Sequence, residues 1–155
     1  MQNKHLLKAL ILMAGVLLCA CGQQKVYSRF QHVSETGWEK ADTISFSIPP
    51  VAEGGLFLEE MGLRINTTFP FQSLTLQVSQ TIFPEGRQEK YTVFCPLVDK
   101  EGDRTGAGIS LFQYTFPIHD IALNHGDSVQ INVVHCMKRE IMMGVTEVGI
   151  TLSRR

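Results

Sequence analysis

The strongest constraint on this chain is a two-residue rhythm of apolar and polar side chains. Ile44, Phe46 and Ile48 alternate with Thr43, Ser45 and Ser47, and Val129, Ile131 and Val133 alternate with Gln130 and Asn132. Leu74, Leu76, Val78 and Ile82 alternate with Thr75, Gln77, Ser79 and Thr81. Val148, Ile150 and Leu152 repeat the pattern near the C-terminus, and Leu63 and Ile65 bracket Arg64. An extended chain sends successive side chains to opposite faces, so each run predicts a strand with one dry face and one wet face. Turn chemistry separates the runs at Pro49-Pro50, Gly54-Gly55, Pro84-Glu85-Gly86, Glu101-Gly102 and Asn124-His125-Gly126-Asp127. Beyond the N-terminal segment no stretch carries a long helical stripe. The dry faces therefore have to cover one another, which predicts an all-β fold, an antiparallel β-sandwich of about seven to eight strands.

The N-terminus follows a different rule. Lys4 and Lys8 precede an uncharged, largely aliphatic run from Ala9 to Ala20. Twelve residues span about 18 Å as a helix against a hydrocarbon core of roughly 30 Å, so the segment reads as a secretory signal rather than a membrane span. It ends in Leu18-Cys19-Ala20-Cys21, similar to a bacterial lipobox with the small residue before the cut at Ala20. The expected organisation is a signal peptide over 1–20, acylation of Cys21, a tether over 21–30 and a sandwich over 31–155. Two or three acyl chains hold a protein stably on a bilayer, each buried methylene adding ~0.8 kcal/mol. Of 14 Lys+Arg and 15 Asp+Glu in the 155 residues, processing removes Lys4 and Lys8, so a net charge of −1 becomes −3. That balance excludes nucleic acid as a partner and leaves membrane binding to the lipid.

Few residues offer chemistry. Cys95 and Cys136 remain after processing. They are either a disulfide closing a loop of about 40 residues, worth ~4 kcal/mol on the chain-entropy account, or two free thiols. His135 and Cys136 are adjacent on a strand and point to opposite faces, so they do not share a metal. Asp99, Glu101 and Asp103 alternate as in a calcium loop, but Arg104 and Ser110 stand where glycine and glutamate are needed, which favours a polar connection. No nucleophile elbow, phosphate loop or dinucleotide fingerprint occurs, and no enzyme, metal or cofactor is expected. Phe69, Phe71, Phe112, Tyr114 and Phe116 form two strips at spacing two, read either as core or as a stacking platform for sugar.

Together these segments resemble the gliding motility lipoprotein GldH family of Bacteroidota. The resemblance rests on the lipobox followed by Val26-Tyr27 and Gly37-Trp38 through Phe46, and on Leu63-Arg64-Ile65-Asn66 through Leu74. It rests further on the connection around Asp99, Gly102 and Gly106, and on Met137-Lys138-Arg139 through Ile150. It covers about residues 25–152. Departures are Lys138 between the methionine and arginine, Phe69 in place of a commoner tyrosine, and His135-Cys136. The resemblance implies a non-catalytic envelope lipoprotein needed for gliding in motile relatives and tied to the type IX secretion machinery, with envelope proteins as partners. Trp38, Met137, Lys138, Arg139, Met142 and Met143 are the candidate partner surface, the competing reading being that Trp38 is a packed lid on the sandwich and the 137–144 segment a plain hairpin connection. Thr43 and Ser128 lie in Asp-(Ser/Thr)-aliphatic triplets and are candidate O-glycosylation sites. Residues 22–30 carry two bases and no acid, and Gly22 follows Cys21, which points to the outer membrane with the domain facing the periplasm. A glycan-binding envelope lipoprotein is the rival reading.

Overall fold

The computed structural model describes residues 24–155, and the signal segment 1–20 and Cys21 lie outside the described residues. Ten strands follow in order: β1 (Lys25–His32), β2 (Trp38–Glu39), β3 (Ile44–Ile48), β4 (Gly55–Asn66) and β5 (Ser73–Phe83), then β6 (Arg87–Pro96), β7 (Leu111–Leu123), β8 (Ser128–His135), β9 (Ile141–Met142) and β10 (Val145–Arg154). Every pairing is antiparallel. One sheet has the order β1-β10-β4-β7, the other β3-β8-β5-β6, and β2 pairs with β9 as a small ribbon. The sandwich expected from the alternation is the fold observed, with eight long strands and the ribbon in addition. Residues 25–30, the outer part of the tether that the sequence allows to join the sheet from about Val26, belong to β1, because Tyr27 is buried opposite Leu152 and the strand pairs with β10 through His32.

The core lies where the dry faces meet. Met61, Leu63 and Ile65 of β4 with Val148, Ile150 and Leu152 of β10 face Leu74, Leu76 and Val78 of β5 with Ile131 and Val133 of β8. The strand ends define two poles. Gln24, the start of β4, the end of β7 and the chain's last residues gather at one pole, together with the 49–54 and 124–127 connections. The β2–β9 ribbon and the 67–72, 97–110 and 136–144 connections gather at the other. Thirteen residues of β7 at about 3.4 Å each put the poles roughly 40 Å apart.

Candidate functional site

The sandwich core contains a group of polar side chains supplied by four strands. Glu59 of β4 and His119 of β7 come from one sheet, and Gln80 of β5 with Glu89 and Tyr91 of β6 come from the other. A bulge in β7 brings His119 inward. Glu59 pairs with His119 and Glu60 with Pro117, leaving Ile118 unpaired and reversing the strand's phase. The His119 Nε2 lies 3.0 Å from Glu59 Oε2 and also 3.0 Å from Gln80 Nε2, and its Nδ1 lies 3.1 Å from the Asp120 carbonyl oxygen, so each nitrogen has an oxygen acceptor within reach. Tyr91 stacks on the ring at 4.1 Å and donates its hydroxyl to Glu89 at 2.9 Å, and the Gln80 amide donates to the same Glu89 oxygen at 2.9 Å.

Electrostatics follow from this geometry. Burial works against the His119 cation, but the hydrogen bond and charge of Glu59, with the charge of Glu89, outweigh it and raise its pKa. Burial and the Glu89 carboxylate push the Tyr91 hydroxyl up to about 12. Glu89 is held low despite its burial by hydrogen bonds from Gln80 and Tyr91 and by Arg87, whose Nε lies 3.1 Å away. Glu59 is 1% exposed, and its Oε1 has no partner, nor has Oε1 of Gln80. The group can hold a proton and tie the two sheets together. Its one hydroxyl, that of Tyr91, donates to Glu89, and no serine, threonine or cysteine takes part in its hydrogen bonds. Sequence reading missed it, because Glu59, Gln80 and His119 look like ordinary surface residues until the topology joins them.

A second constellation lies on the outer face of the β1-β10-β4-β7 sheet. Phe30 lies over Gly149 and Gly62, where an added methyl would come within 2.7 and 2.6 Å of its ring. The Arg64 guanidinium sits 4.3 Å above that ring and pairs with Glu147, which also meets His32 Nδ1 at 3.0 Å. Phe30 thereby substitutes for two missing side chains.

The far pole holds the residues picked out as a partner surface, and the structure divides them. Lys138, Arg139 and Met143 are exposed, and Met137 is half-buried against the core. Trp38, at 1% exposure, and Met142, at 0%, are core residues and are withdrawn from that surface. The Trp38 indole donates to the Asp42 carbonyl at 3.0 Å, and its own carbonyl accepts from His135 Nε2 at 3.2 Å. Met142 is fixed by the β2–β9 pairing with Trp38. Gly144, at φ +88°, allows the connection to close against Phe69, with Asn66 N–H donating to the Gly144 carbonyl at 2.9 Å. Ile109, at 93% exposure, and Leu111 and Ile141 add apolar surface at the same pole.

The remaining candidates are equally resolved. Cys95 and Cys136 are free thiols, not a bridge. Cys95 points into the core from β6, Cys136 is exposed just past the end of β8, and β5 runs between those strands. Burial pushes the Cys95 thiol up to about 12. Phe69 and Tyr114 are buried and Phe71, Phe112 and Phe116 pack half-buried against the core, so the aromatic strips are chiefly core. Asp99 Oδ1 accepts from the N–H groups of Glu101 and Asp103, which closes the polar connection. Thr43 is exposed, whereas Ser128 is half-buried at the start of β8.

An antiparallel sandwich whose polar core groups bind one another, led by a lipobox four residues before its first strand, is the framework of a cell-envelope lipoprotein. The chain belongs to the GldH lipoprotein family, which matches residues 25–152. It is similar to the gliding motility lipoprotein GldH of Flavobacterium johnsoniae, with 20% identity over 153 residues, covering 94% of this chain and 95% of that one. Among solved structures it is similar to a family 35 carbohydrate binding module from Clostridium thermocellum (TM-score 0.41, 13% identity, 84% of this chain and 90% of that one). It is also similar to the globular domain of zebrafish complement 1qA (TM-score 0.40, 9% identity, 86% and 97%). These likenesses concern the sandwich architecture alone.

Proposed function

We propose that this gliding motility lipoprotein is a non-catalytic component of the gliding and type IX secretion apparatus, anchored by acylated Cys21 in the outer membrane and facing the periplasm. It acts by protein contacts at the pole farthest from the anchor. The observation that carries the reading is the composition of that pole: Ile109, Leu111, Ile141 and Met143 are exposed there, and so are Lys138 and Arg139. Adaptable methionine and aliphatic side chains with a basic pair suit a protein partner. A glycan site needs exposed aromatic faces, and the two aromatic strips are largely occupied in the core. The test is photo-crosslinking from positions 109 and 143 in native envelopes, followed by mass spectrometry. Crosslinks to subunits of the gliding and secretion machinery are expected. Reproducible capture of glycan without those subunits would overturn the reading in favour of carbohydrate binding. Thr43 is the better placed O-glycosylation acceptor, since its hydroxyl-bearing side chain is exposed and Ser128 is not fully so. Intact mass of the natively expressed protein and of Thr43→Ala checks it.

A further inference from the structure

We infer that the pole carrying Gln24 is a seat for the phospholipid bilayer, so that the sandwich stands with its strands rising from the membrane. The inference rests on the acylation of Cys21 and goes beyond it. Acylation alone attaches the chain, whereas the length of the link decides how the domain is held. Cys21 is three residues before Gln24, a reach of at most about 10 Å. Gln24 is already fixed, because its carbonyl accepts from the Arg154 N–H at 2.9 Å. β1 begins at the next residue. A link this short keeps the pole carrying Gln24 within about 10 Å of the acylated residue, while the far pole lies roughly 40 Å away along the strands.

The surface brought against the lipid suits that position. Val26, Leu56 and Phe83, from three different strands, are each more than 40% exposed at this pole. Beside β1 a groove of about 410 Å³ has Val26, Pro50, Val51 and Phe57 in its wall and Lys25 and Arg154 at its rim. Glu53 lines the same groove, so an apolar wall meets charged side chains of both signs, as at the boundary between headgroup and acyl chain where amphipathic side chains settle. The charges here are largely paired: Arg154 with Glu53 at 3.0 Å, Arg155 with Asp120 at 2.7 Å and Arg87 with Glu89 at 3.1 Å. The seat is therefore apolar rather than basic, and it does not require anionic lipid.

The test uses the full lipidated protein in phosphatidylcholine vesicles with brominated acyl chains, which quench nearby tryptophan. Trp38, at the far pole, serves as an internal reference and is expected to keep its emission. Added emission from Leu56→Trp, and from the conservative Phe83→Trp, is expected to fall well below that of the same variants in non-brominated vesicles, as for side chains at the headgroup boundary. Ile109→Trp at the far pole is expected to stay unquenched. Unquenched tryptophans at both 56 and 83 in an acylated, vesicle-bound protein would overturn the seat alone, as would equal quenching at 109. The former is the result if a second copy or another protein covers this pole. Absence of the acyl mass at Cys21 would instead remove the anchor and the seat together.

Discussion

His119 and His135 are both drawn into the sandwich, and their surroundings push them in opposite directions. His119 has Glu59 on one nitrogen, Glu89 nearby, Tyr91 on its face and Gln80 at 3.0 Å, and its pKa is raised. His135 is sealed against Trp38 with only a carbonyl as partner, and its burial, with some repulsion from Lys40, lowers its pKa against the pull of that carbonyl and Glu140. A raised pKa means the folded state holds the proton more tightly. The stability from His119 is therefore full below the ordinary value of 6.5 and is lost as pH rises through the raised value. For His135 the unfolded chain takes the proton first, so its contribution is full above 6.5 and is lost as pH falls toward the lowered value. In urea unfolding across this range, His119→Gln is expected to keep only the loss on the acid side, and His135→Gln only the loss on the alkaline side. Parallel profiles for the two variants would contradict the assignment. Glu59→Ala, which strands the His119 cation, is expected to cost about 3 kcal/mol in the same assay at pH 6.

At the scale of the element, Phe30 explains why some strands are written openly in the sequence and others are not. β3, β5 and β8 alternate cleanly because one face packs the core and the other meets water. β4 does not, since Gly62 and Leu58 are buried on its outer face as well, Gly62 beneath the Phe30 ring. Only Leu63-Arg64-Ile65 of its twelve residues shows the rhythm. β7 hides its phase for another reason, the unpaired Ile118, which turns His119 inward where simple alternation would place Asp120. The Glu59–His119 group was invisible because its members are 60 residues apart and meet only through sheet order. The glycines under Phe30 give a direct test. Gly149→Ala is expected to destabilise by about 2 kcal/mol, since the methyl must displace the ring. Phe30→Ala is expected to cost a similar ~2 kcal/mol through lost coverage. With the ring gone the methyl has room, so the double variant is expected to be more stable than the sum by about 1 kcal/mol or more. Strict additivity in equilibrium unfolding would show that Phe30 does not occupy this place.

On the scale of the whole molecule, the proposed division, with one pole held at the membrane and the other presenting a partner surface, is open to test through the free thiols. Cys136 is exposed beside the Met137–Arg139 segment, roughly 40 Å from the anchored pole on the strand rise, while Cys95 is sealed in the core. The purified, folded, lipidated protein is therefore expected to take one maleimide, with a second added only after denaturation. A bridge would give none. In cells the same thiol separates compartment from contact. A membrane-impermeant maleimide is expected to leave Cys136 unlabelled in intact cells, because a periplasm-facing domain lies behind the outer membrane whichever way its far pole points. Permeabilised envelopes admit the reagent, but a partner seated on Lys138, Arg139 and Met143 would shield the neighbouring thiol. Labelling there is expected to be slower than in detergent-extracted protein and to recover when the partner is removed. Rapid labelling of intact cells would place the domain on the cell surface. Equal rates in envelopes and detergent would leave the far pole uncovered, and the protein contacts would then have to lie elsewhere on the sandwich.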